Sequence, residues 1–152
     1  MKVVKLQPCA EDIERIFLLI TRDFANEHSM GKLSAATHNV QKGLLWGVKN
    51  IECGAWVVED DDRKVLGSIG IHKTSPWYSD EEYLADGWFY VLPEYRKSGV
   101  GQMLLNAAIE FAKDQNLPLI VGVFNMDDTG KKIEIMNRMG LKLIGGLFAA
   151  GV

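Results

Sequence analysis

The residues best placed to do chemistry are Arg96-Lys97-Ser98-Gly99-Val100-Gly101-Gln102, which follow Val91-Leu92-Pro93-Glu94-Tyr95. Two glycines let the main chain approach a ligand closely, and a helix starting there aims its first N–H groups and its positive dipole end at the same point. Arg96 and Lys97 add cationic charge, so the stretch suits an anion, and a phosphate or pyrophosphate is the natural guest. Nucleotide motifs are excluded. Gly99-Val100-Gly101-Gln102-Met103-Leu104 lacks the third glycine of the dinucleotide fingerprint, and no G-x-x-x-x-G-K-[ST] occurs. The groups able to move a proton nearby in sequence are Asp86, Glu82 and His72, with Tyr78, Tyr83 and Tyr90 as possible donors. His28 and His38 have no supporting motif, and solvent-facing or locally bonded imidazoles explain them more simply. No metal is expected: Asp60-Asp61-Asp62 does not meet calcium-loop spacing, and Cys9 and Cys53 stand apart.

The elements that must position this stretch follow from periodicity. Val3 to Leu6 reads as a strand, and Pro8 with Glu11 and Asp12 starts a helix whose apolar stripe is Ile13, Ile16, Phe17, Ile20 and Phe24. After a break at Asn26 to Gly31, Ser34 caps a second helix to about Leu45. Gly54 to Glu59 and Val65 to Ile71 form an antiparallel pair around the charged hairpin Asp60 to Lys64. A polar connection, Thr74 to Tyr83, leads to the strand Ala85 to Leu92, which delivers the glycines. Val100, Met103, Leu104, Ala107, Ala108 and Phe111 make one face of the helix that follows, ended by Asn116-Leu117-Pro118. Leu119 to Phe124 reads as a buried strand reached by a crossover. Asp127 or Asp128 then caps a helix from Thr129 to Met139, stopped by Gly140, and Leu141 to Phe148 supply one or two short strands. A three-strand meander ahead of the helix disfavours a Rossmann unit. The expectation is an α/β (α+β) fold with a mixed, mostly antiparallel sheet and helices on both faces, one domain over residues 1–152. With 47% hydrophobic residues and net charge −3, a sizeable core is expected and neither a nucleic-acid nor a membrane partner. The isolated cysteines suit a reducing compartment, so a cytoplasmic chain is expected.

Arg96-x-x-Gly99-x-Gly101 after a strand ending in Val-Leu-Pro-Glu-Tyr resembles the acyl-coenzyme A pyrophosphate loop of the GNAT superfamily of N-acetyltransferases. The specific likeness spans Tyr90 to Met103, with support from Asn137-Arg138-Met139-Gly140-Leu141, while the order of elements resembles that fold over nearly the whole chain. The resemblance implies acetyl-CoA as co-substrate. The amides of Arg96, Lys97, Ser98, Gly99, Val100, Gly101 and Gln102 would hold its pyrophosphate, Phe89, Tyr90 and Val91 would pair with the pantetheine arm, and Asn125 would add a contact. It also implies that the strands ending at Val91 and near Phe124 splay apart, and that the helix pair after the first strand shapes the acceptor pocket.

The implied reaction is direct attack of an amine, on a small molecule or a protein, with an N–H near Val91 or Leu92 stabilising the oxyanion. Many members of that superfamily carry a glutamate eleven residues before the loop arginine, where this chain has Ala85. Asp86 beside it faces the other side of an ideal strand, and only a bulge would bring it round. Met136 replaces the tyrosine that commonly protonates the thiolate, leaving that role to water or to Tyr78, Tyr83 or Tyr90. Thr129 stands where asparagine is frequent, and Lys131 and Lys132 where small residues are usual. The short stretch after Phe148 leaves room for a homodimer partner to close the acceptor site. The alternative reading is a non-catalytic acyl-CoA-binding or interaction domain of the same fold.

Overall fold

The computed structural model describes residues 1–19, 53–122 and 129–146. The described elements are β1 (Lys2–Lys5), α1 (Ala10–Leu18), β2 (Ala55–Glu59), β3 (Val65–Thr74), β4 (Tyr83–Val91), a 3-10 turn (Pro93–Tyr95), α2 (Val100–Gln115), β5 (Leu119–Ile120) and α3 (Thr129–Arg138). The strands form one sheet in the order β1-β2-β3-β4-β5, antiparallel throughout except for the parallel pair β4–β5. The α+β architecture expected from the sequence is therefore present, with helices on both faces.

Side-chain alternation along the strands assigns those faces. Trp56 and Val58 of β2, with Leu66, Ile69 and Ile71 of β3, pack under Val100, Leu104, Leu105 and Ala108 of α2. Ala55 and Val57 point the opposite way, joining Ile16 of α1 and Trp88 of β4. Because both faces are covered, every residue of β2 is buried. That includes Glu59 at the strand's end, whose carboxylate is met by Arg15 of α1 and by Lys2 of β1 at 3.0 Å. Burial alone would raise its pKa, but the hydrogen bonds and charges of Lys2 and Arg15 outweigh this and hold it below the ordinary glutamate value. The Ser68 hydroxyl, also buried, donates to the Trp56 carbonyl and accepts from the Trp88 indole, both at 3.0 Å.

Two expectations are corrected. The strand read over Leu119 to Phe124 pairs only at Leu119 and Ile120, with Val121 and Gly122 off the ladder and the remainder outside the described residues. Of the residues expected to close the sheet, 141–146 form no strand, and Leu143 and Ile144 are exposed; 147 and 148 are outside the described residues. The first helix's expected run to Phe24 and the second helix expected from Ser34 to about Leu45 lie outside the described residues; the other boundaries agree to within three residues, and α3 stops where Gly140 takes a φ of +87° while the Leu141 N–H bonds back to the Met136 carbonyl. Among the described residues no helix is long and apolar enough to cross a membrane.

Candidate active site

The end of β4 and the start of α2 build the anion cradle. After the turn Pro93–Tyr95, Ser98 bonds the Tyr95 carbonyl twice, through its N–H at 3.1 Å and its hydroxyl at 2.6 Å, which tightens the approach to the helix. Gly99 then caps α2 with φ +88°, a left-handed conformation that costs an L-residue about 1–2 kcal/mol. A Cβ placed there would meet nothing within 4 Å, so it is backbone handedness and not crowding that calls for glycine. The first helical bond runs from the Met103 N–H to the Gly99 carbonyl at 3.0 Å, leaving the amides of Val100, Gly101 and Gln102 ahead of the ladder. Lys97, Ser98 and Gly99 are exposed beside them. Arg96 folds back on the strand end: its Nε donates to the Val91 carbonyl at 3.2 Å, and its guanidinium stands 5.7 Å from the centre of the Tyr90 ring.

Beneath the cradle the sheet forks. β4 and β5 pair only at Leu84–Leu119 and Ala85–Ile120. One residue further, on β4, the Asp86 carboxylate accepts the Gly122 N–H at 2.8 Å, standing where a main-chain acceptor would continue the ladder. On the other side of β4 the register moves from Gly70–Trp88 to Ile71–Asp86, so Gly87 is an extra residue, a bulge. Asp86 pairs with Ile71, whose side chain belongs to the α2 face, whereas Trp88 lies on the α1 face. The Leu92 N–H is donated to the Leu66 carbonyl at 3.0 Å and thus faces β3. By the alternation of an antiparallel ladder, the amides of Phe89 and Val91 point away from β3, toward the side where β5 has left. Of the two N–H groups named for the oxyanion, Val91 therefore faces the fork and Leu92 does not.

The proton-transfer candidates are separated by the fold. Glu82 is exposed and held by Lys73 at 2.9 Å on the β3–β4 edge. Asp86 is half-buried at the fork; burial raises its pKa, and the Gly122 hydrogen bond only partly offsets this. His72 pairs across β3–β4 with Ala85, and a Cβ on Gly87 would lie 3.7 Å from its Nδ1. Burial lowers the His72 pKa, keeping the imidazole neutral near pH 7. Tyr90 is buried against Leu19 and Leu92, Tyr78 is exposed, and Met136 packs against the core below α2. Asn125, His28, His38, Asp127 and Asp128 lie outside the described residues. The alternation of β4 hides its bulge from sequence reasoning, and the one signal for it is a glycine inside an apolar strand.

The residues present fit a coenzyme A thioester. An open cradle of helix-start amides suits its pyrophosphate, and main-chain groups turned to the fork suit its extended arm. The fold is that of an acyltransferase architecture. The model of the acetyltransferase (GNAT) family matches residues 13–131, and the chain belongs to that family of N-acetyltransferases. Among curated proteins none matches.

Solved structures share the fold at low identity. A tetramutant of a Bacillus halodurans protein aligns over 100% of both chains at 15% identity and a TM-score of 0.76. The ribosomal-protein-alanine N-acetyltransferase of Brucella melitensis biovar Abortus aligns over 100% of both at 10% identity and 0.67. An aminoglycoside acetyltransferase from an uncultured soil metagenomic sample, in complex with sisomicin, covers 99% of this chain and 95% of its own at 16% identity and 0.67.

Proposed function

We propose that this protein transfers an acetyl group from acetyl-CoA to a primary amine by direct attack. One observation carries the reading. The anion cradle at Gly99–Gln102 lies at the end of β4, the same strand whose parallel partner leaves the ladder after Ala85–Ile120. A pyrophosphate at the helix start and an extended arm in the fork belong to one ligand only if it is long and thin, as a coenzyme A thioester is.

Acetyl-CoA supplies an activated acyl group. The chain's own residues bind and orient it: the amides of Val100, Gly101 and Gln102 hold its phosphates, and the main chain of Phe89 and Val91 pairs with the arm. The Val91 N–H donates to the acyl oxygen, a preorganised contact of the kind that lowers such barriers by about 3 kcal/mol. Asp86 holds β5 away from β4 through Gly122 and keeps the slot open. The acceptor is a small molecule or a protein; relatives by fold include an enzyme for each, an aminoglycoside acetyltransferase and a ribosomal-protein-alanine N-acetyltransferase. A cytoplasmic site of action suits the isolated cysteines.

Thermal melts test the reading. Acetyl-CoA at a hundred times its Kd is expected to stabilise the fold by about 2.7 kcal/mol, a Tm rise of about 5–10 °C. A panel of primary amines is then expected to release free coenzyme A thiol. The absence of a shift with any acyl-CoA would refute the binding site. A shift without thiol release would favour the non-catalytic acyl-CoA-binding domain.

A further inference from the structure

Resting on acetyl transfer as read above, we propose that Arg96 is a positioning residue for the reaction and not a phosphate ligand. Its side chain holds the Val91 carbonyl and so steadies the strand end that offers the Val91 N–H to the acyl oxygen. Three features of the strand end lead to it.

The first is where that carbonyl points. Leu92 gives its N–H to the Leu66 carbonyl at 3.0 Å, so Leu66 and Leu92 sit on a hydrogen-bonded rung and the Gly67–Val91 rung beside it is a non-bonded one. On a rung of that kind both the N–H and the C=O of Val91 turn away from β3, to the side where β5 has left the ladder. Among the described residues no strand pairs with that carbonyl. A main-chain acceptor there calls for a donor, and Arg96 Nε supplies one at 3.2 Å.

The second is the turn that brings Arg96 back to Val91. The Tyr95 N–H bonds the Leu92 carbonyl at 2.9 Å, and the Arg96 N–H bonds the Pro93 carbonyl at 3.3 Å. The Arg96 amide is therefore engaged inside the turn, while the amides ahead of the α2 ladder begin at Val100.

The third is the face on which the guanidinium lies. A Cβ on Gly101 would stand 3.7 Å from Phe89 and from Val91, so the first turn of α2 rests on the face of β4 that carries those two side chains. The guanidinium stands 5.7 Å from the centre of the Tyr90 ring, within cation–π range, and Tyr90 belongs to the opposite face with Leu19 and Leu92. Arg96 thus wraps the edge of β4, away from the helix-start amides. Carbonyl and N–H belong to one residue, so a donor that pins the first restrains the second. A hydrogen-bond donor to a developing oxyanion works best when it is held in place beforehand.

The test separates the hydrogen bond from the charge. In glutamine the amide nitrogen stands as many bonds from Cα as Nε does in arginine, so Arg96→Gln keeps the donor and removes the charge. Arg96→Lys keeps the charge and places its nitrogen one bond further out. With an amine that the wild type acetylates, Arg96→Ala and Arg96→Lys are expected to lose about tenfold or more in kcat/KM for acetyl-CoA, and Arg96→Gln to recover most of it. The adenosine bisphosphate fragment of coenzyme A, which carries phosphate but no pantetheine arm, should bind wild type and variants alike by calorimetry. A further readout needs no turnover: the carbon resonance of the Val91 carbonyl should move in Arg96→Ala and stay near its wild-type position in Arg96→Gln. Activity restored by lysine and not by glutamine, with bisphosphate affinity about tenfold weaker in Arg96→Ala, would overturn the assignment and make the guanidinium a phosphate ligand. Full activity in Arg96→Ala despite a moved carbonyl resonance would overturn it as well. Either result leaves acetyl transfer standing, whereas loop amides that ignore acetyl-CoA in the wild type would overturn both.

Discussion

Asp86 offers the sharpest test of how the fork is held. Its carboxylate accepts the Gly122 N–H at 2.8 Å from a half-buried position, so one side chain both receives a hydrogen bond and carries a charge that burial disfavours. The two effects separate under substitution. Asp86→Asn keeps an oxygen able to accept the N–H and removes the charge, whereas Asp86→Ala removes both. A hydrogen bond to a charged group contributes about 1.5–3 kcal/mol, and relieving the desolvated charge returns part of it. The net cost of Asp86→Ala should then be about 1–2 kcal/mol, a fall in Tm of about 2–8 °C for a chain of this size. Asp86→Asn should match or exceed the wild type at neutral pH. The sign with pH follows from linkage: a carboxyl with a raised native pKa gives stability that is fully present below its ordinary value of 3.8 and is lost as pH rises through the native one. Wild type should therefore gain on Asp86→Asn as pH falls through that window. Urea melts between pH 3 and 8 measure this, and Gly122 amide exchange should quicken in Asp86→Ala alone. If Asp86→Asn falls with Asp86→Ala at every pH, charge rather than acceptance holds the fork.

Two further perturbations probe the frame around the site. Gly99→Ala must force an L-residue to φ +88° and is expected to cost about 1–2 kcal/mol, while Gly101→Ala places its Cβ at 3.7 Å from Phe89 and Val91 and gains up to about 1 kcal/mol of helix propensity. Equal melting temperatures for the pair would mean that the turn into α2 is not as described. Arg15→Ala removes one partner of the buried Glu59 and is expected to cost about 3 kcal/mol, the low end for a broken buried pair, because Lys2 remains. Glu59 has a lowered native pKa, so its contribution is present above the ordinary value of 4.5 and is lost as pH falls through the native one. Acid melts of wild type and Glu59→Gln should converge in that range, and parallel curves would refute the assignment.

What was legible in the sequence was local. Gly99, Gly101 and the apolar face of α2 lie within a few turns of chain, and there composition alone dictates backbone and dipole. The fork was not legible, because it depends on pairing between segments far apart. Leu119 to Phe124 looks like a continuous buried strand, yet among the described residues its pairing ends at Ile120, beside a bulge that only Gly87 hints at and a carboxylate that intercepts the Gly122 N–H. The same non-local geometry bears on the proton. Ala85 stands where the resemblance leads one to look for a glutamate, and searching along β4 finds only Asp86, which alternation and the bulge leave on the opposite face.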